Sequence, residues 1–233
     1  MNAAHNFLFV VYPYICLAVF LMGSLARFDR DQYTWKSDSS QLLRSGSIKW
    51  ASNLFHAGIL FLFVGHSVGM LTPHAVYEHF ISPANKQMLA IVAGGIAGTA
   101  CFIGLSMLIW RRMTDPRIRL TSHRTDLAIL WILWTQLSLG LVTLPFSLSH
   151  SDGSVMLVLS DWAQRIVTFN PDASGLVALA WPYKVHMVLG MTIFLLFPFS
   201  RLVHVWSGLA SVFYVLRPYQ VVRSRRLNLP KRG

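Results

Sequence analysis

The chain is short of charge. Only 12% of its 233 residues are Asp, Glu, Lys or Arg, and nine are acidic. Soluble domains carry about twice that charged fraction, so an ordinary soluble domain is excluded. Cysteine is almost absent. Cys16 and Cys101 are the two, and each sits in an apolar run, where cysteine behaves as a small hydrophobe. A disulfide framework and a cysteine-built zinc centre are therefore not expected. Low-complexity linkers and internal repeats are lacking, so residues 1–233 read as one domain. No basic residue precedes the first apolar run and no small-residue cleavage site follows it, only Arg27 and Arg30. That run is expected to stay as a membrane span rather than act as a removable signal peptide.

Long apolar runs are what the chain has instead, with 54% of residues hydrophobic. A helix needs about 20 apolar residues to cross a hydrocarbon core of about 30 Å. Residues 7–26, 51–71, 87–110, 126–148 and 185–206 meet that need. Backbone groups in lipid must be satisfied within their own segment. The expected class is therefore an all-α integral membrane protein, five transmembrane helices in a bundle. The net charge of +11 is confined to loops: 17 of the 20 basic residues fall on one side of these spans. The positive-inside rule then places the N-terminus outside and the C-terminus in the cytoplasm. It also accounts for the charge without nucleic acid. On the outer side, the segment "MLVLSDWAQRIVTF" of the long connection suits either a short surface helix or a capping loop. The basic tail, residues 207–233, is expected along the cytoplasmic face, against lipid headgroups or a partner subunit.

Histidine is the anomaly. Nine are present, and His5, His74, His79, His123 and His150 fall near span ends or in loops. The stretch "HAGILFLFVGH" brackets nine uncharged residues between His56 and His66. His186 and His204 fall within the fifth span. An ionisable residue inside a span is expensive and points to function. Ten helical residues place His66 about 80° around from His56 and about 15 Å along the axis; eighteen place His204 on the face of His186, about 27 Å away. The two spans run antiparallel. His56 then shares the cytoplasmic level with His204, and His66 shares the outer level with His186.

No Asp, Glu or Cys is available at either level, whereas zinc wants three or four ligands. A haem iron accepts one imidazole on each axial side. Two cross-helix pairs suit two stacked haems with irons roughly 20 Å apart, and the lack of C-x-x-C-H makes them b-type. Gly58, Gly65, Gly69, Gly94, Gly95, Gly98 and Gly190 would let a flat macrocycle approach the backbone, or serve close helix packing. Arg27, Arg30, Arg112 and Arg201 are candidates for pairing haem propionates. Pro198 should kink the fifth span. A transporter or haem-handling protein is the rival class. Transport predicts discontinuous helices and acidic relays, which these spans do not suggest.

The segments "YPYI" at 12–15, "QYTWKSDSSQ" at 32–41, "ASNLFHAGILFLFVGHSVGMLTPH" at 51–74, "WAQRIVTF" at 162–169 and "HMVLGMTIFLLFPFSRLVHVWS" at 186–207 resemble the gamma subunit of respiratory nitrate reductase. The resemblance covers nearly the whole chain except the tail. It implies a five-span cytochrome b of the bacterial inner membrane with two b haems. It implies the same pairing, His66 with His186 for the outer haem and His56 with His204 for the inner one. It implies quinol oxidation (menaquinol or ubiquinol) near the outer haem, with protons released outside. Lys86, placed in the loop before the third span, matches the family's quinol-site lysine, and Gly65 and His66 line the same site. Electrons would pass inward to an iron–sulfur beta subunit and a molybdenum-containing alpha subunit, since this chain holds no cysteine cluster or molybdenum motif. A cytochrome b subunit serving another quinol-linked oxidoreductase is the nearest alternative.

Overall fold

The computed structural model describes residues 2–30, 46–120 and 124–206. The "QYTWKSDSSQ" segment, His123 and the basic tail lie outside the described residues. Five helices are long and apolar enough to cross a membrane. They are α1 (Ala3–Arg30), α2 (Gly46–Leu71), α3 (Pro83–Thr114), α4 (Arg124–Leu148) and α6 (Trp181–Leu196). A sixth, α5 (Ser154–Val167), lies between α4 and α6. No strand occurs among the described residues.

The expected third span starts at 87, but α3 starts at Pro83. Its start signal is local: the Ser82 side chain accepts from the Asn85 N–H at 3.3 Å, and proline at the first helical position is preorganised for it. Lys86 therefore sits on the first turn of α3 and not in the preceding loop. At the other end Asp115 is extended, as the residue before Pro116 must be.

Two prolines set the irregular parts. Pro13 lacks an N–H and would clash with the carbonyl four residues earlier. The helix answers with a π-helical stretch at Phe7–Val11. The Phe9 carbonyl, which Pro13 cannot serve, accepts instead from Trp162 Nε1 on α5 at 2.9 Å. Pro198 does more than kink the fifth span. The α-helix ends at Leu196, 3-10 turns follow at Phe197–Phe199 and Arg201–Val203, and Ser200 between them is extended. The continuous helix expected over 185–206 is thus broken, and His204 is not on a straight continuation of the His186 face. The break is satisfied from within: Arg27 Nη1 donates to the Pro198 carbonyl at 2.7 Å and the Ser200 carbonyl at 3.1 Å. A Cβ on Gly23 would lie 2.7 Å from the Pro198 ring.

The spans pack in an arc. Helix α2 lies along α3, α3 along α4, α4 along α6, and α6 along α1. The α2–α3 seam is close because it is built from small residues. A Cβ on Gly104 would lie 2.6 Å from the Phe55 nitrogen, and one on Gly58 would lie 2.6 Å from the Cys101 Cβ. Cys101 and Cys16 are both buried and free. Cross-span bonds join Trp134 Nε1 to Ser106 at 3.0 Å and Tyr12 to Thr192 at 2.9 Å. Helix α5 closes one end of the arc, and its Trp162 and Ile166 are buried with Phe9, Cys16 and Met191. Gln164 caps α2 through the carbonyls of Met70 and Thr72, at 3.0 and 3.2 Å. The "MLVLSDWAQRIVTF" segment is therefore largely a packed helix that ties α1 and α2 together.

Gly104→Val should force α2 and α3 apart. Overpacking of this kind costs about 1–3 kcal/mol. Unfolding of the protein in mixed micelles on titration with SDS is expected at a lower SDS fraction than for the unmodified chain.

Candidate functional site

Helix α2 and helix α6 are separated along the arc by α3 and α4, yet they present histidines to one another. The His66 and His186 rings have centroids 6.3 Å apart and planes inclined by 43°. Two metal–imidazole bonds of about 2 Å each, plus the offset of each nitrogen from its ring centre, span roughly that distance. His204 lies within electrostatic reach of His56.

The four rings share one hydrogen-bonding arrangement. His56 Nδ1 lies 2.7 Å from the Ser52 carbonyl. His66 Nδ1 lies 2.8 Å from the Leu62 carbonyl. His186 Nδ1 lies 3.2 Å from the Gln136 carbonyl, and His204 Nδ1 lies 2.6 Å from the Arg201 carbonyl. A carbonyl only accepts, so each Nδ1 carries the proton and each Nε2 keeps its lone pair. That tautomer is the one a metal-ligating histidine uses, with its other nitrogen held by a main-chain acceptor. Among the described residues no three His, Cys, Asp or Glu side chains converge. A facing pair of such imidazoles could supply two neutral nitrogen ligands, a donor set that would suit a haem iron.

The packing around His186 was not foreseen from the sequence. A Cβ on Gly140 would lie 3.0 Å from His186 Cε1, so α4 must present glycine there for the ring to lie flat against it. Gln136, one turn earlier, receives the Nδ1 proton on its main chain and donates from its side chain to the His186 carbonyl at 3.1 Å. Its Nε2 also lies 3.4 Å from His186 Nε2, too long to hold that nitrogen. Spacing within α4 marks Gln136 and Gly140 as one face, but nothing local to α4 says that His186 lies on it. Of the seven glycines noted above, Gly58, Gly69, Gly95, Gly98 and Gly190 sit against neighbouring side chains, whereas Gly65 and Gly94 meet nothing within 4 Å.

Lys86 lies at the α5 end of the bundle. It is 9% exposed, and its Nζ stands 3.4 Å from the centroid of the Tyr77 ring. Among the described residues that Nζ has no hydrogen-bond partner. The adjacent Gln87 accounts for the enclosure. It is buried, donates to the carbonyls of Ser147 and His150, and accepts from the Met156 N–H at 3.1 Å. These bonds draw residues 149–156 across the start of α3. Gly153 makes the turn there with φ of +86°, and a Cβ on it would lie 2.6 Å from the Pro83 carbonyl carbon. Asp152 then starts α5 by accepting from the Ser154 N–H and hydroxyl, bonds that hold its carboxyl below the usual carboxylate range.

The arginine-rich end is arranged around one acid. Asp126 lies 3.7 Å from Arg112 and 3.6 Å from Arg201, so one carboxylate is shared between two guanidinium groups. Arg112, named above for a propionate, is thus partly neutralised, but the cluster keeps a net positive charge. Arg27 is engaged at the Pro198 break.

Gln87→Leu would remove one partner from the carbonyls of Ser147 and His150 and from the Met156 N–H, although the Ser147 carbonyl keeps the His150 N–H. Each hydrogen bond lost is worth about 0.5–1.5 kcal/mol. Faster deuterium uptake across residues 149–156 is the expected result, and unchanged exchange would show that Gln87 does not hold that turn.

A family model described as the nitrate reductase gamma subunit matches residues 5–225. The chain is 53% identical over 222 residues to the respiratory nitrate reductase 2 gamma chain of Escherichia coli strain K12, covering 94% of this chain and 97% of the relative. It is 51% identical over 226 residues to the respiratory nitrate reductase 1 gamma chain of the same strain, covering 97% and 100%. It is 37% identical over 216 residues to the nitrate reductase gamma chain of Bacillus subtilis strain 168, covering 92% and 96%. With five helices able to cross a membrane and likeness along almost its whole length, the chain belongs to the nitrate reductase gamma subunit family.

Proposed function

We propose that this multi-pass inner-membrane subunit of a respiratory nitrate reductase is its quinol-oxidising cytochrome b, holding two b haems. The facing of His66 and His186 at 6.3 Å, with both Nδ1 protons given to main-chain carbonyls, carries the reading. His66 and His186 would hold the outer haem iron, and His56 and His204 the inner one. When bound, the haems supply one-electron carriers between a quinol outside and an iron–sulfur beta subunit inside, itself serving a molybdenum-containing alpha subunit where nitrate is reduced.

The residues of the chain then have separate tasks. The main-chain carbonyls hold the imidazoles in the ligating tautomer. Gly140 lets the His186 ring lie against α4. Arg112 and Arg201, which share Asp126 as their one carboxylate among the described residues, would offer positive charge at the inner end to anionic propionates. The same arginine-rich end, by the positive-inside rule, faces the cytoplasm, which puts Lys86 and helix α5 outside. There Lys86 offers three donors and a buried charge to a quinol oxygen. A quinol loses two protons along with two electrons, so oxidation at this level releases protons outside. Gly65, with nothing within 4 Å of a Cβ built there, leaves the α2 backbone accessible beside His66.

Membranes holding the complex are expected to give a b-type difference spectrum on reduction with dithionite, and its absence would end the haem reading. His66→Tyr and His186→Tyr should each remove the outer haem and keep the inner. Gly140→Ile, which touches neither iron, should do the same by displacing His186. Survival of both haems in the two histidine variants would show the pairing to be wrong. Lys86→Ala should slow haem reduction by quinol while leaving the spectrum intact, and unaltered kinetics would remove Lys86 from the site.

A further inference from the structure

We infer that Tyr77 is a second group of the quinol site, its phenol and the Lys86 ammonium together gripping one quinol oxygen; this rests on the assignment of Lys86 to that site. Tyr77 closes the short helix His74–Tyr77, in the connection between α2 and α3. It is 6% exposed and Lys86 is 9% exposed. Neither the Tyr77 hydroxyl nor Lys86 Nζ has a hydrogen-bond partner among the described residues. Buried polar groups are seldom left unpaired, and each exception calls for an explanation. Here two exceptions belong to one contact, with Nζ 3.4 Å from the ring centroid.

The ring has a structural use, because its face offsets the positive charge of an ammonium that has no carboxylate within ion-pair distance among the described residues. The nearest acid in sequence, Glu78, is taken by His74 Nδ1 at 3.0 Å on the surface. Phenylalanine would serve that purpose equally well. The hydroxyl is therefore the feature without a structural account. The main chain of Tyr77 is held on both sides: its carbonyl accepts from the N–H groups of Phe80 and Ile81 at 3.0 and 2.9 Å, and its N–H donates to the Pro73 carbonyl. Burial pushes the phenol pKa up, so the group stays protonated and able to donate.

The two groups define the chemistry of what they bind. An ammonium has donors only, whereas a phenol both donates and accepts. A quinol hydroxyl satisfies both at once: its oxygen accepts from Nζ while its O–H donates to the Tyr77 oxygen. A quinone carbonyl satisfies both by accepting twice. The pair thus fits the substrate and its oxidised product with the same heavy-atom contacts, the phenol only rotating its hydrogen.

The test uses the intact complex in detergent with Tyr77→Phe, Lys86→Ala and the double variant. Kinetics are read with decylubiquinol, and binding to the oxidised complex is read calorimetrically with decylubiquinone. Losing one neutral hydrogen bond predicts that Tyr77→Phe raises KM and Kd about three- to tenfold, with the haem spectrum unchanged. The double variant should lose less than the product of the two single effects, because one oxygen is shared. If Lys86→Ala impairs binding and Tyr77→Phe does not, the role of Tyr77 is overturned while the quinol site stands. If Lys86→Ala changes neither KM nor Kd, the site assignment itself falls, and Tyr77 with it. If Tyr77→Phe disturbs the haem spectrum, its hydroxyl is structural and the inference fails.

Discussion

The bond from histidine Nδ1 to a main-chain carbonyl is the interaction on which the rest depends. A free imidazole in a span would turn and change tautomer. Each of these four is held by a carbonyl acceptor, and for His56 and His66 that acceptor lies on the preceding turn of the same helix. The bond costs the bundle nothing elsewhere, since a carbonyl has two lone pairs. It leaves Nε2 as the only free lone pair. His186 is the exception in its source of support, because its acceptor, Gln136, comes from another helix. The geometry of that ring is therefore a property of the α4–α6 packing.

The second constraint is that lipid offers no partner to a freed backbone group. Pro13 and Pro198 each interrupt a span, and in both cases a side chain from another element serves carbonyls near the break. Trp162 reaches the Phe9 carbonyl, and Arg27 reaches those of Pro198 and Ser200. These bonds also tie the arc together. Trp162 anchors the capping helix to α1, and Arg27 anchors α1 to the segment that carries His204. The break is thereby held in place, and the fifth span is discontinuous where the sequence suggested a kink.

Much of the architecture was legible in one dimension. Apolar run length located all five spans, and the seventeen clustered basic residues marked one end of the bundle as different. Histidines inside spans stood out because charge there is expensive. The errors lie where a residue's local pattern is ambiguous. Residues 185–206 are apolar throughout, so hydropathy alone does not separate a kinked helix from one that stops at Leu196 and resumes through 3-10 turns. A run counted by hydropathy begins after Lys86, whereas Ser82 and Pro83 start the helix before it. The sequence offers Arg112 to a haem propionate without showing that Asp126 lies 3.7 Å from it.

The sequence by itself determined which five runs are long and apolar enough to cross a membrane and which four histidines are set apart within them, because these follow from run length and the cost of polar groups in lipid. Tertiary structure alone decided that Gln136 and Gly140 form the bed of His186, that Gln87 draws a loop over the start of α3, and that Tyr77 and Lys86 stand together with their polar ends unpaired. The first two join elements far apart in the chain, with 50 positions between Gln136 and His186 and 60 between Gln87 and Ser147, and the third joins the connection after α2 to the first turn of α3. Whether such residues meet depends on how helices pack in the arc, and no local spacing encodes that.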